Sequence, residues 1–216
     1  TIIIPTHERH YILLRAIDYY LGIGVSLIVV DSSLEKLDEK HINDSNYLHM
    51  PNASIGERLY KALSQVTTKF SCLSGDDDFL TETGLVKGAN FLIENKDYVS
   101  VKGYNLSFFL NKTSRKVEST LGGNVTLDSF NLDSNFIEDR MSNAFRTVHI
   151  YALHHTDMLL NCISVVKSVK WISAGERVIP IVSMCYGKHK ILQVFWSARD
   201  SERYSSYVNE DGDHVN

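Results

Sequence analysis

The stretch Phe70-Ser71-Cys72-Leu73-Ser74-Gly75-Asp76-Asp77-Asp78 decides how the rest of the chain is read. An apolar run of strand character ends in a Ser-Gly turn, and three carboxylates follow without a break. Crowded like charges raise one another's pKa values and destabilise a fold, so three in a row after a buried strand call for a cation nearby. Along extended backbone, successive side chains point to opposite faces, which predicts that Asp76 and Asp78 converge while Asp77 points away. Hard divalent cations such as Mg²⁺ or Mn²⁺ suit that oxygen-rich arrangement, commonly shared with phosphates. An acidic turn capping a helix after Thr81 accounts for the run equally well.

Outward from this stretch, strands and helices alternate. Towards the N-terminus, Ile2–Ile4 and Val25–Val30 are short continuous apolar runs of the kind buried on both faces of a parallel sheet. Between them the spacing predicts a helix over 10–21, with Ile12, Leu13, Ala16, Ile17 and Tyr20 inward and Gly22 as the stop. A strand is expected at 47–50. Ser54-Ile55-Gly56-Glu57 then reads as a capping box for a helix with Leu59, Ala62 and Leu63 inward. After the aspartates a helix is expected to Glu94, on Leu85, Ala89 and Leu92. This alternation predicts an α/β fold: a mixed, mostly parallel sheet flanked by helices on both faces, with its crevice at the carboxyl ends of the strands. Pro5-Thr6, Asp31 and the aspartates all fall at such ends.

The second half is less regular. Strands are expected at 98–103, 104–110, 115–119, 147–153 and 191–195, and helices at 137–144, 156–166 and from Ser173 to Gly187. A polar loop is expected over 120–135 and a frayed acidic tail after Arg199.

The 216 residues suit one domain with a sizeable core. With 22 basic against 26 acidic residues the formal charge is −4, which gives no footprint for nucleic acid. No apolar run approaches the roughly 20 residues needed to span a bilayer. The start at Thr1, without an initiator Met or a secretory signal, points to a processed N-terminus or a longer, multidomain protein. Cys72, Cys162 and Cys185 lie in apolar contexts and read as buried thiols in a reducing compartment.

Taken together, Ile2-Ile3-Ile4-Pro5-Thr6-His7-Glu8-Arg9, Ile28-Val29-Val30-Asp31-Ser32-Ser33, Gly56-Glu57-Arg58 and Leu73-Ser74-Gly75-Asp76-Asp77-Asp78 resemble, in order and spacing, the nucleotide-sugar-binding half of bacterial GT-A-fold glycosyltransferases of the family 2-like group. The remainder matches more loosely, through Ala174-Gly175-Glu176 and Tyr186-Gly187-Lys188. Two departures stand out: Ser74 occupies a position usually acidic, and Glu8 one usually Asn. The resemblance implies one domain over 1–216, with a nucleotide-sugar-binding half (1–103), an acceptor half (104–199) and a polar tail (200–216).

What it implies chemically is a metal-dependent inverting transferase of hexosyltransferase type, moving a sugar from a nucleoside-diphosphate donor, UDP-sugar favoured, to a hydroxyl acceptor. That acceptor would be a glycan, lipid-linked or other hydroxyl compound in polysaccharide assembly. Pro5, Thr6, His7, Arg9, Asp31, Arg58, Asp76 and Asp77 would bind the nucleotide-sugar, with Asp31 against the base. Asp76 and Asp78 would hold Mn²⁺ or Mg²⁺ as Lewis acid and template. Glu176 would be the base that deprotonates the acceptor, with Glu138 and Asp139 the next candidates. The expected location is cytoplasmic, with peripheral attachment to the inner membrane through partners.

Plainer readings compete at each position. Thr6 serves equally as a helix N-cap, Asp31 as an Asx turn before Leu34, Glu176 as the end of a capping box from Ser173, and Arg9 or Arg58 as solvated surface groups. His7 and His10 are one helical turn apart without a third zinc ligand nearby. His154, His155, Trp171 and Trp196 read better as structural groups than as sugar contacts. A non-catalytic GT-A-like module that binds a nucleotide or partner within a larger protein is the alternative function.

Overall fold

A computed structural model describes residues 1–38, 40, 46–111, 114, 116–121, 132–144, 151–168 and 172–200. The N-terminal half alternates as expected: β1 (Ile2–Thr6), α1 (His10–Gly22), β2 (Leu27–Asp31), β3 (Asn46–His49), α2 (Ile55–Leu63), β4 (Phe70–Leu73), β5 (Asp78–Leu80) and α3 (Glu82–Glu94). Then come β6 (Tyr98–Asn111), β7 (Lys116–Leu121), α4 (Ile137–Asn143), β8 (Leu153–His155), α5 (Thr156–Val166), α6 (Ile172–Tyr186) and β9 (Lys188–Asp200).

Among the described residues these strands form one nine-stranded sheet ordered β3-β2-β1-β4-β8-β6-β9-β5, with β7 paired to β6. Strands β1 to β4 run parallel, and β6 and β9 share their direction, because β8 is antiparallel to both β4 and β6. Strands β5 and β7 are antiparallel to their neighbours. The sheet is thus mixed and mostly parallel.

Its two faces are built by alternation. On β1, Ile2 and Ile4 pack with Leu13, Ala16, Ile17 and Tyr20 of α1, while Ile3 packs with Leu59, Ala62 and Leu63 of α2 and with α5. On β2, Leu27 and Val29 join the first face, and Ile28 and Val30 the second. The expected inward faces of α1 and α2 are buried, as are Leu159, Cys162, Ile163 and Val166 of α5. The capping box on α2 is complete, with Glu57 N donating to Ser54 Oγ at 3.3 Å and Ser54 N to Glu57 Oε2 at 2.8 Å. Close packing there demands Gly56, whose Cβ would stand 2.7 Å from the Val166 carbonyl oxygen on α5.

Several expectations are corrected. The residues from Tyr98 to Asn111 form one bulged strand rather than two, because its long parallel pairing with β9 runs through both segments. The strand expected at 191–195 is β9, thirteen residues long and inside the sheet order. Helix α3 buries Gly84, Gly88 and Leu92, with Leu85 and Ala89 only partly covered, because the fully buried Trp196 lies against the two glycines. Thr120 and Leu121 belong to β7 rather than a loop, while 122–131 lie outside the described residues. Of the strand expected at 147–153, Tyr151 and Ala152 lie in a turn and bend and Leu153 opens β8, while 145–150 lie outside the description, as do the tail 201–216 and Trp171. Cys72 and Cys162 are buried, but Cys185 is exposed, because α6 turns Ser183 and Met184 inward and Cys185 out. No described helix is long and apolar enough to cross a membrane.

Candidate functional site

The parallel register sets Thr6 beside Asp31 at the carboxyl ends of β1 and β2. Strand β4 is held alongside by Ser74 N, which donates to the Ile3 carbonyl at 3.0 Å. The acid run therefore emerges at the same rim of the sheet.

The backbone of that run is a turn and not an extended strand, since Asp78 N reaches back to the Gly75 carbonyl at 3.3 Å. The expected convergence of Asp76 and Asp78 is corrected accordingly. Asp76 is fully buried and turns to β1: its Oδ2 accepts from Thr6 Oγ1 at 2.7 Å and from Arg9 Nε at 3.2 Å, and Arg9 Nη2 binds its Oδ1. Asp77 does not point away, because Arg9 Nη1 donates to its Oδ2 at 3.2 Å. Asp78 faces β9 instead, where Arg199 Nε donates to its Oδ1 at 3.2 Å. The cations that the run demanded are two arginines, one 67 residues before Asp76 and one 121 residues after Asp78.

Burial pushes the pKa of Asp76 up to about 6 against the pull of Arg9 and Thr6. It pushes Asp78 to about 6 as well, against the pull of Arg199, with the Asp77 charge adding to the rise. The turn is anchored from below by Tyr20, whose hydroxyl shares a 2.8 Å hydrogen bond with Ser74 Oγ and donates to the Asp78 carbonyl at 3.1 Å. The usually acidic position thus holds a buried serine that serves the turn's own geometry.

Asp31 is fully buried and firmly held. Ser33 N donates to its Oδ1 at 2.7 Å, which is the Asx turn weighed for it. Its Oδ2 meets His10 Nε2 at 2.7 Å and accepts from the Tyr47 hydroxyl. Burial alone would raise its pKa; the bonds from Ser33, Tyr47 and His10 more than offset that and hold it below the ordinary carboxylate value. Tyr47 in turn accepts from Leu37 N at 3.0 Å and stacks on His49, their rings 7° from parallel.

The loops after β1 and β2 are tied together. Glu8 has φ of 54°, a left-handed conformation that Asn adopts more readily. It is held there by Glu8 N donating to Ser33 Oγ at 2.7 Å and by Leu34 N donating to Glu8 Oε1 at 2.6 Å. His7 Nδ1 lies 3.1 Å from Ser32 Oγ, so the two histidines weighed as zinc ligands turn to different partners. Thr6 is not the N-cap of α1; that position falls to Arg9. Arg9 and Arg58 are both buried rather than solvated. Arg58 Nη1 donates to the carbonyls of Thr6 at 3.1 Å and Val30 at 3.3 Å, clamping the two strand ends. Pro5 lies within β1 opposite Val30.

Other candidates lie on later elements of the chain. Glu176 lies within α6, which begins at Ile172, so Ser173 is inside the helix and not its cap; the Glu176 side chain lies outside the description. Glu138 and Asp139 form the first turn of α4, where Asp139 accepts from Ser134 Oγ at 2.8 Å. Trp196 is core, and His154 is fully buried in β8. Tyr47, Arg199 and the role of His10 were missed. Nothing in sequence spacing flags them, because each acts across an inter-strand distance.

The fit of a divalent cation can be judged from the donors. Both Asp76 oxygens are engaged by Arg9 and Thr6, which makes it a poor ligand. Asp77 and Asp78 fit better: a Cβ on Gly75 would stand 2.8 Å from Asp77 Oδ1 and 3.2 Å from Asp78 Oδ2, so the bare glycine leaves these carboxylates a common open side. Among the described residues no three His, Cys, Asp or Glu side chains converge. A protein that offers two carboxylates and leaves the rest to phosphate and water suits Mg²⁺-like coordination.

No family model and no curated protein sequence matches the chain. Solved structures do. S. aureus TarS superimposes with a TM-score of 0.63 at 16% identity, covering 92% of this chain and 36% of TarS. S. aureus TarS 1–349 in complex with UDP-GlcNAc gives 0.61 at 15% identity, covering 94% of this chain and 58% of that one. The same protein in complex with UDP gives 0.58 at 16% identity, covering 92% and 59%. The chain therefore spans about a third of TarS and under two thirds of its shorter form. These neighbours have the GT-A glycosyltransferase fold, and at such identity the likeness is one of fold.

Proposed function

We propose that this chain is the nucleotide-sugar-binding domain of a glycosyltransferase, taking a UDP-sugar donor and passing its sugar with inversion to a hydroxyl acceptor. The observation that carries the reading is the meeting of Thr6, Asp31 and the Asp76–Asp78 turn at one rim of a GT-A-like sheet. A solved neighbour with that fold binds UDP-GlcNAc.

In this reading Asp31 faces the base and accepts a hydrogen bond from a uracil-like N–H. Ser33 through both its backbone N–H and its side chain, Tyr47 and His10 bond its two oxygens, and a base N–H would take the place of one of them. Asp76 keeps Arg9 in place, and Arg9 holds Asp77. Asp77 and Asp78 would hold Mn²⁺ or Mg²⁺, which supplies Lewis-acid neutralisation of the leaving diphosphate. Glu176 is the proposed base, on the resemblance alone; a carboxylate within hydrogen-bond reach of the acceptor hydroxyl is sufficient for that task. The acceptor is a glycan, lipid-linked or other hydroxyl compound.

One feature favours a second reading, a binding module without turnover: Arg9 already neutralises Asp76, and Ser74 replaces the usual acid. Thermal shift and donor turnover separate the two. UDP with Mn²⁺ should raise the melting temperature by mass action, and Asp77→Ala and Asp78→Ala should remove the metal-dependent part. Absence of any shift across UDP, GDP, CDP and TDP would overturn the nucleotide reading. A shift without hydrolysis or transfer of any sugar donor would leave a binding module.

A further inference from the structure

The far end of β9 supplies a cation placed unlike the other arginines of the site. Arg9 spends Nε, Nη1 and Nη2 on Asp76 and Asp77, and Arg58 turns to backbone carbonyls, so both face protein groups. Arg199 is the register partner of Asp78, and only its Nε is engaged there. Its guanidinium lies over the Tyr151 ring, 5.5 Å from the centroid. One edge of the fork and one face are thus fixed. Its two terminal nitrogens make no hydrogen bond among the described residues, and 42% of the side chain is exposed beside the acid turn. A guanidinium held in this way is a preorganised donor pair for anionic oxygens.

We propose that Arg199 binds the diphosphate of the donor; the assignment rests on the nucleotide-sugar reading above. The anchored Nε keeps the fork aimed while the terminal nitrogens take the phosphate oxygens.

The test is calorimetric titration of the chain, without added metal, with UDP, uridine and inorganic pyrophosphate. Arg199→Ala should weaken UDP and pyrophosphate about ten- to hundredfold, the loss of one charge-assisted bond or two, and leave uridine unchanged. Arg199→Lys should recover part of the loss. Since Arg199→Ala strands Asp78, the double variant Arg199→Ala/Asp78→Asn is measured alongside and should bind uridine but not pyrophosphate tightly. Equal weakening of uridine and UDP would overturn the proposal, as would unchanged pyrophosphate binding. UDP binding that ignores Arg199 sinks this inference and spares the nucleotide reading. Pyrophosphate binding that depends on Arg199, with no nucleotide bound at all, does the reverse. A wild type that binds neither, even when Mn²⁺ is added, sinks both.

Discussion

Thr6 and Asp76, 70 residues apart, are joined in the core by a 2.7 Å hydrogen bond from the threonine hydroxyl to Asp76 Oδ2. The bond fastens the end of β1 to the first carboxylate of the acid turn, and the same carboxylate receives the Arg9 guanidinium. The rim of the sheet is built around this buried trio.

Asp76→Ala would therefore leave a buried guanidinium without its main counter-charge. We expect a loss of about 3–5 kcal/mol, against about 1–2 kcal/mol for Thr6→Val, which removes one neutral donor. Urea unfolding of both variants reads the difference. Similar small losses for the two would mean that Arg9 is solvated when its partner is removed.

Asp76 and Asp78 both have folded pKa values raised to about 6, from an ordinary value near 4. Between about pH 4 and 6 the native state keeps protons that the unfolded chain has released, so their contribution to stability falls as pH rises through that window and is level above it. Melting temperature followed from pH 4 to 7 should show the wild type losing ground to Asp78→Asn up to pH 6 and then running parallel. A difference that does not change with pH would contradict the raised value.

Asp31 depends on Tyr47 for one of its bonds. Tyr47→Phe should cost about 1–3 kcal/mol, because it also strips the acceptor from Leu37 N. Asp31→Asn should weaken uridine binding by roughly tenfold or more, with a smaller effect on folding. Calorimetry with uridine and urea unfolding together separate the two effects. Uridine affinity untouched by Asp31→Asn would move the base elsewhere.

Gly56→Ala places a methyl group within 3 Å of the α5 backbone at Val166 and Lys167. Backbone cannot rotate away as a side chain can, so α2 and α5 must separate. A cost of about 1–3 kcal/mol is expected, of the kind found on overpacking. The denaturation midpoint should fall with an unchanged slope.

Glu176→Gln tests the proposed base. Transfer should fall about 10²–10⁴-fold with UDP affinity unchanged, since the amide keeps the shape and loses the proton acceptor. Turnover within a few-fold of wild type would pass the role to Glu138, Asp139 or a residue not yet considered.

The sequence by itself determined the sheet and its two apolar faces. Unbroken runs such as Ile2–Ile4, amphipathic spacing such as Ile12, Leu13, Ala16, Ile17 and Tyr20, and the Ser54–Glu57 box are local signals, each written within one turn or strand. It also placed Thr6, Asp31 and the aspartates at the same rim, because parallel strands end together. Tertiary structure alone decided how the carboxylates are used. Alternation along a strand predicted Asp76 with Asp78, but a four-residue turn took over and divided them between Arg9 and Arg199. Which charge neutralises which depends on the pairing of β5 with β9 and on where α1 begins. Those are contacts over tens to more than a hundred residues, fixed by sheet order, and local periodicity carries no trace of them.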